Sequence, residues 1–440
     1  MNRDLRRDLY AVAAAALLVV AAALTGIAIK RAKDVLHVGW PPLYANWLPH
    51  TGPGTPAAVT VAIAVVAYGP SLATRLPWRP LLWTSWATAT AWTFSLALID
   101  GWHRGIARRL TTGYEYLQVI DRFQDIPDTL RDFTHHILIS SPDNWPAHVA
   151  GHPPGATLTF VLLDRIGLGG GAWAGVFVIT AGATATAAVL VTLRALASEV
   201  LARRAAPFLV LAPAAVWAGT SADGYFAAVA AWAVAFLALA VTGHRPPATA
   251  LASGLLFGLT AYLSYGLTLL AVIAGAVLLL GSRRLRILPY VIAGLAVVPV
   301  AFTVVGFNWW EAYHLLVERY YQGAGGFRPY GYWVWANLAC TVLVVGPATV
   351  AGLRRTGALL IRWRASPDAE RRMGLLLCAA LLMLLVADLS GMSKAETERI
   401  WLPFALWLLA AGAFLDRPRV WLTAQAALSL LLNHLLLTGW

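Results

Sequence analysis

Thirteen apolar blocks recur along the chain, near residues 10–29, 56–73, 82–100, 172–196, 202–218, 222–242, 248–263, 266–280, 286–306, 334–352, 373–389, 400–415 and 420–437. Each is long enough to cross a hydrocarbon layer of about 30 Å as a helix. In lipid a segment must satisfy its own peptide groups, so blocks of this kind are read as helices. Hydrophobic residues make up 59% of the sequence and charged ones 12%. The expectation is an all-α, polytopic membrane helical bundle of about thirteen transmembrane helices, forming a single integral membrane domain over 1–440. The first run, Tyr10 to Ile29, exceeds a signal-peptide core, and KRAKD follows it in place of a small-residue cleavage site. It is expected to be a retained helix.

The net charge of +12 does not imply a nucleic-acid partner, because the arginines gather in short clusters between apolar runs, as in loops facing the cytoplasm. An N-terminus inside also places inside Arg75 and Arg79, Arg203 and Arg204, Arg245, RRLR at 283–286, six arginines from Arg354 to Arg372, and Arg417 with Arg419. Segments 30–55, 101–171, 219–221, 307–333 and 390–399 then lie outside. They hold most of the acidic, histidine and tyrosine side chains, so the chemistry is expected to be extracytoplasmic. Arginine preferred over lysine, thirty to three, with abundant alanine, suggests the cell membrane of a GC-rich bacterium such as an actinobacterium. Cys340 and Cys378 fall within apolar runs, where a disulfide framework or thiolate metal site is not expected. No cofactor or metal is called for.

Residues 153–167 are too short to cross and are expected to form a helix lying in the outer interface or half inserted. Around LSYG at 263–266 the sequence allows either a break between two helices or a kink in one. Mid-depth ionisable groups are nearly absent from the blocks. Asp100 and Asp388 sit at block ends, which argues against an ion-coupled transporter and for a site at the outer face.

The long polar segment 101–152 supplies the candidates. Its middle, 113–138, has helical spacing with Tyr116, Ile120 and Phe123 on one side, as in amphipathic helices lying on a bilayer. Glu115, flanked by Tyr114 and Tyr116, can be packed into a partly apolar setting where a carboxylate makes a usable base. His152 opens HPPG, and proline is also favoured in a helix's first turn. In TSADGYF, Ser221 or Asp223 can cap the helix that follows. In GMSKAETERIWLP, Lys394 and Glu398 are spaced for a helical ion pair. Lys394 is also an isolated ammonium close to Arg399, and the two make a phosphate clamp. Arg104, Arg108 and Arg109 can serve the same anion or anchor to membrane lipid headgroups.

The order of these pieces resembles the C-type glycosyltransferase superfamily, in particular the branch of protein O-mannosyltransferases and the transferase that adds aminoarabinose to lipid A. GYEYLQ at 113–118 resembles that family's acidic loop element, and GHPPG at 151–155 its His-Pro-Pro motif. TSADGYF resembles its short polar turn, SGLLFGLTAYLSYG its glycine-rich block, and ERIWLP its late arginine. The family's lysine after the glycine-rich block is replaced here by Ser264 and Tyr265, and its paired acids by Tyr114 and Glu115. The resemblance implies a polyprenyl-phosphate sugar donor and transfer, usually inverting, to the hydroxyl of a glycan or lipid acceptor of the cell envelope. It makes Glu115 the base with Asp100 in reserve, and Lys394 and Arg399 the phosphate partners, with His152 orienting the loop or contacting the acceptor. Aromatic residues of 307–333 would stack on sugar. The alternative is a lipid or polysaccharide flippase.

Overall fold

The computed structural model describes residues 3–439, and helix covers most of each of the thirteen blocks. Seven helices among the described residues are long and apolar enough to cross a membrane: Arg3–Ala32, Thr55–Arg75, Gly170–Leu196, Ala222–Val241, Arg284–Val305, Tyr330–Ile361 and Asp368–Leu389. The chain is therefore an all-α integral membrane protein with fewer full-length apolar helices than the expected thirteen. The others are shorter, interrupted or, like the 20-residue helix Trp78–Ala97 with its serines and threonines, less apolar. Helix Glu199–Val210 stops ahead of Pro213, and Leu402–Leu408 passes into a 3₁₀ stretch, Leu409–Phe414. At LSYG the chain breaks, with Ser264 extended between Pro246–Leu263 and the turn Tyr265–Leu269.

Small residues let the helices approach. Gly254 and Gly294 each lie against backbone of the other's helix, so a side chain at either would collide with it. Helix Tyr330–Ile361 is kinked at Gly346, whose φ of 76° suits glycine, and Pro347 follows. Buried Gln425 repairs the break, accepting from Ala348 N at 3.3 Å and donating to Val345 O at 3.0 Å.

The loops sort to two ends. At one, Asp8 is fully buried between Arg354 and Arg355, Arg355 also reaches Asp416, and Arg203 donates to Ala73 O and Leu76 O. At the other, Arg328 reaches Leu36 O, Tyr44 N reaches Glu398, Arg319 reaches Trp145 O and Thr220 reaches Gly105 O. Strand Ala45–Trp47 pairs antiparallel with Leu436–Thr438 there.

Segment 113–138 is helical, but its apolar face turns toward protein and not toward a bilayer. Residues Tyr116–Phe123 wind as a 3₁₀ helix, and the tighter turn buries Tyr116, Val119 and Phe123 while Ile120 is only half-buried. The Tyr116 ring stacks on Phe160 of helix Gly155–Arg165, which at eleven residues is about 16 Å long.

Asp8→Ala should lower unfolding stability in detergent by about 3–5 kcal/mol, because two guanidiniums lose their shared buried counter-charge. Asp416→Ala, on an exposed carboxylate, should cost less than about 1 kcal/mol in the same thermal melt.

Candidate active site

Cap chemistry places the first acid. Ser221 Oγ accepts from Asp223 N at 3.2 Å, starting helix Ala222–Val241, and the same hydroxyl donates to Asp223 Oδ2 at 3.0 Å. Ser221 is thus the cap, and the Asp223 carboxylate is turned to Arg399, whose Nη1 lies 2.7 Å from Oδ2. Both side chains are about 5% exposed. Arg399 belongs to the one-turn helix Thr397–Ile400 and is enclosed by protein. Burial alone would weaken its hold on a proton. Asp223, then Glu396 and Glu115, outweigh that and push the guanidinium above its ordinary range.

One imidazole joins this pair to Glu115. Arg399 Nη2 lies 3.3 Å from His148 Nε2, and His148 Nδ1 lies 2.9 Å from Glu115 Oε1. Arginine only donates, so Nε2 accepts and the ring proton sits on Nδ1, facing the carboxylate. The polarity of the chain therefore runs one way, from Arg399 through His148 to Glu115. Glu115 is buried, and its Oε2 takes no hydrogen bond from protein among the described residues. Tyr114, beside it, is exposed, whereas Tyr116 is buried.

His152 sits one turn beyond His148. Its Nδ1 lies 2.8 Å from His148 O and 3.1 Å from Tyr116 Oη. Burial pulls its pKa down to about 4, against the opposing pull of Asp223, so the ring is neutral at pH 7. Burial likewise pushes the Tyr116 phenol up, with Asp223 and Glu115 adding to it.

Other sequence candidates lie in other clusters. Asp100 Oδ1 meets His50 Nε2 at 3.0 Å and Arg104 Nη2 at 2.7 Å, while Oδ2 meets Arg109 Nη2 at 3.0 Å. Arg104 is thereby tied to Asp100 and not to the anion expected beside Arg399. The Lys394 ammonium donates to Gly325 O at 2.8 Å and lies over the Tyr321 ring, so its flexible stem is satisfied away from Arg399. It does not pair with Glu398. A helical pair needs a helix from 394, and the helix starts at Thr397 because Ala395 and Glu396 are left-handed. Glu398 is fully buried, accepts Tyr44 N at 2.8 Å, and burial pushes its carboxyl up to about 7. Tyr265 is buried against Trp309 and Tyr313.

Three site residues escaped the sequence reading. His148 shares the motif NWPAHVAGH with His152, four residues away, and that spacing was the signal available. Glu396 lies 3.3 Å from Arg399 Nη2, and Arg328 lies 3.4 Å from Glu396. Neither is marked by a motif. Among the described residues no group of three His, Cys, Asp or Glu side chains could hold a metal ion.

No family model and no curated protein matches the chain. Among solved structures it is similar to the Archaeoglobus fulgidus oligosaccharyltransferase tethered with an acceptor peptide, at 14% identity over 78% of this chain and 50% of that one, TM-score 0.44. It is similar also to ArnT from Cupriavidus metallidurans bound to undecaprenyl phosphate, at 17% identity over 68% and 61%, TM-score 0.39. A third is the Archaeoglobus fulgidus oligosaccharyltransferase AglB in complex with an inhibitory peptide and a dolichol-phosphate, at 15% over 81% and 50%, TM-score 0.37. The chain spans about half the length of the first of these. With identities and TM-scores this low, the likenesses assign the chain neither a fold nor an activity.

The two perturbed groups set opposite pH slopes on stability. His152, lowered from 6.5 to about 4, contributes stability that is complete above pH 6.5 and is lost as pH falls through 4. Glu398, raised from 4.5 to about 7, contributes stability that is complete below pH 4.5 and is lost as pH rises through 7. Glu398→Gln removes the second slope. Its unfolding free energy should climb steadily from pH 4 to 6.5, by an amount on the order of 3 kcal/mol, and then level off, with the melting temperature following it. Thermal melts of the purified protein at half-unit pH steps check this.

Proposed function

We propose that the protein is a membrane glycosyltransferase that moves a sugar from a polyprenyl-phosphate donor to a hydroxyl of a cell-envelope glycan or lipid, at the end opposite the arginine clusters and outside the cell. One observation carries the reading: a carboxylate with an oxygen that no hydrogen bond engages among the described residues and a buried guanidinium are joined through a single imidazole at the end of an apolar bundle. Transfer from a phosphate needs a base for the incoming hydroxyl and a cation for the departing oxygen.

In the proposed reaction Glu115 Oε2 takes the proton from the acceptor hydroxyl as its oxygen attacks the anomeric carbon. The bond from that carbon to the phosphate oxygen breaks in the same displacement, with inversion. Polyprenyl phosphate leaves with the bonding pair, and its growing charge is met by Arg399. His148 sets its Nδ1 against Oε1 and so leaves Oε2 to face the acceptor. Asp223 holds Arg399 in place, and neutral His152 fixes Tyr116 and the turn that carries Glu115. Exposed Tyr114, Trp310 and Tyr321 offer flat faces for sugar rings.

Purified protein in lipid, given a labelled polyprenyl-phosphate sugar and an envelope acceptor, should transfer label. Glu115→Gln should lose transfer by about 10²–10⁴-fold with folding intact. Asp100→Asn should keep its rate and lose thermal stability, because both Asp100 oxygens already serve cations. Transfer lost only in Asp100→Asn would reassign the base. Lipid movement without transfer would make the protein a flippase.

A further inference from the structure

The loop that delivers Arg399 carries a carboxylate for which the proposed chemistry has no use. Ala395 and Glu396 have φ values of 71° and 62°, left-handed conformations that side chains with a Cβ rarely adopt. This strained turn brings the Glu396 carboxylate between two guanidiniums, with Oε2 3.3 Å from Arg399 Nη2 and Oε1 3.4 Å from Arg328 Nη1. Both contacts are long beside the 2.7 Å between Arg399 and Asp223. Glu396 is also the most exposed acid of the cluster, at 22%, against 5% for Asp223 and 8% for Glu115.

Arg328 does not depend on Glu396 for its position. It is buried and donates to Leu36 O at 3.1 Å, Lys394 O at 2.8 Å and His37 O at 3.4 Å. The Tyr44 phenol lies in the same field. Burial pushes it up, Glu396 adds to that, and Arg328 and Arg399 pull it down.

Charge balance then limits what an incoming anion can do. Asp223, Glu115 and Glu396 already face Arg399 and Arg328, so a phosphate cannot join them unless a carboxylate leaves. Asp223 and Glu115 are held by short contacts in the interior. Glu396 is held by long ones on a strained turn at the edge.

We propose that Arg328 and Arg399 form a binding site for a phosphate monoester, and that Glu396 fills this seat in the resting protein until the phosphate displaces it. The two carboxylate oxygens meet one guanidinium each, as two oxygens of a phosphate would. Displacement lets residues 395 and 396 relax, so strain in the loop favours exchange. The seat rests on the reading of the protein as a polyprenyl-phosphate enzyme and adds to it a second cation and a resting occupant.

The test is equilibrium binding to the full chain in lipid nanodiscs, with undecaprenyl phosphate, undecaprenol and inorganic phosphate as separate probes. Glu396→Gln keeps the shape and removes the charge. It should bind undecaprenyl phosphate about five- to tenfold more tightly than wild type, with undecaprenol binding unchanged. Ala395→Gly relieves the turn without touching the charge and should bind undecaprenyl phosphate about two- to fivefold more weakly, since the filled seat becomes easier to keep. A parallel gain for inorganic phosphate would show that the seat reads the phosphate alone, whereas a gain confined to undecaprenyl phosphate would show that the lipid is read with it. Either result supports the seat. Wild-type binding that Glu396→Gln leaves unchanged or weakens overturns the seat alone. No undecaprenyl phosphate binding by either protein overturns the functional reading and the seat with it.

Discussion

The Asp223–Arg399 pair governs this end of the molecule. Removing two charges from water costs several kcal/mol each, and their mutual attraction recovers that only when the remaining donors and acceptors are also met. The surroundings supply several of these partners. Ser221 donates to Asp223, His148 accepts from Arg399, and Glu396 takes a further share of the guanidinium. A well-packed apolar pair would give the bundle as much stability or more. Buried charge at the mouth of such a bundle therefore points to a task, and among tasks to one that needs a fixed cation beside a base.

Fixing that cation falls to an irregular loop, and the structure ties the loop from several sides. Asn337, on helix Tyr330–Ile361, donates to Asp388 Oδ1 at 2.9 Å and to Ser393 O at 2.7 Å, which anchors the loop's first half to two helices. Tyr44 N holds Glu398, and Arg328 holds the Lys394 carbonyl. Between these ties only residues 395 and 396 adopt left-handed geometry. A frame held at both ends with its strain concentrated in the middle can keep Arg399 in register while Glu396 moves. Rigidity and exchange are thus assigned to neighbouring residues of one short segment.

The sequence carried the bundle and several residues of the candidate site because both are written in local patterns. Apolar blocks name helices, and the order Glu115, His152, Asp223, Arg399 follows motifs that stand out against a greasy background. What it could not carry was which partners meet across more than a hundred residues. Arg328 lies in an aromatic loop read for stacking, and nothing local tells that its side chain crosses to Leu36 and Glu396. His148 was overshadowed by the prolines that mark His152. The spacing of Lys394 and Glu398 misled because it presumes a helix that the left-handed turn forbids. The period of 113–138 was read as α-helical, and the 3₁₀ winding substituted Val119 for Ile120 on the buried face.

Asp100 shows how a residue can have the right chemistry in the right segment and still be poorly placed to act. One of its oxygens faces His50 and Arg104, and the other faces Arg109. His50 Nδ1 lies 2.7 Å from Leu48 O, and Arg109 Nη1 donates to Thr438 O at 3.0 Å. The carboxylate therefore joins the 101–111 turns to the segment around His50 and to the C-terminal strand. A base must keep a lone pair for the substrate proton and then release that proton, and a carboxylate with three cationic or hydrogen-bonding neighbours has neither the open position nor the freedom to do so. Glu115, with one imidazole on one oxygen, has both. Of the two acids the sequence left open, Asp100 is engaged on both oxygens, and the proposed reaction therefore takes Glu115 as its base.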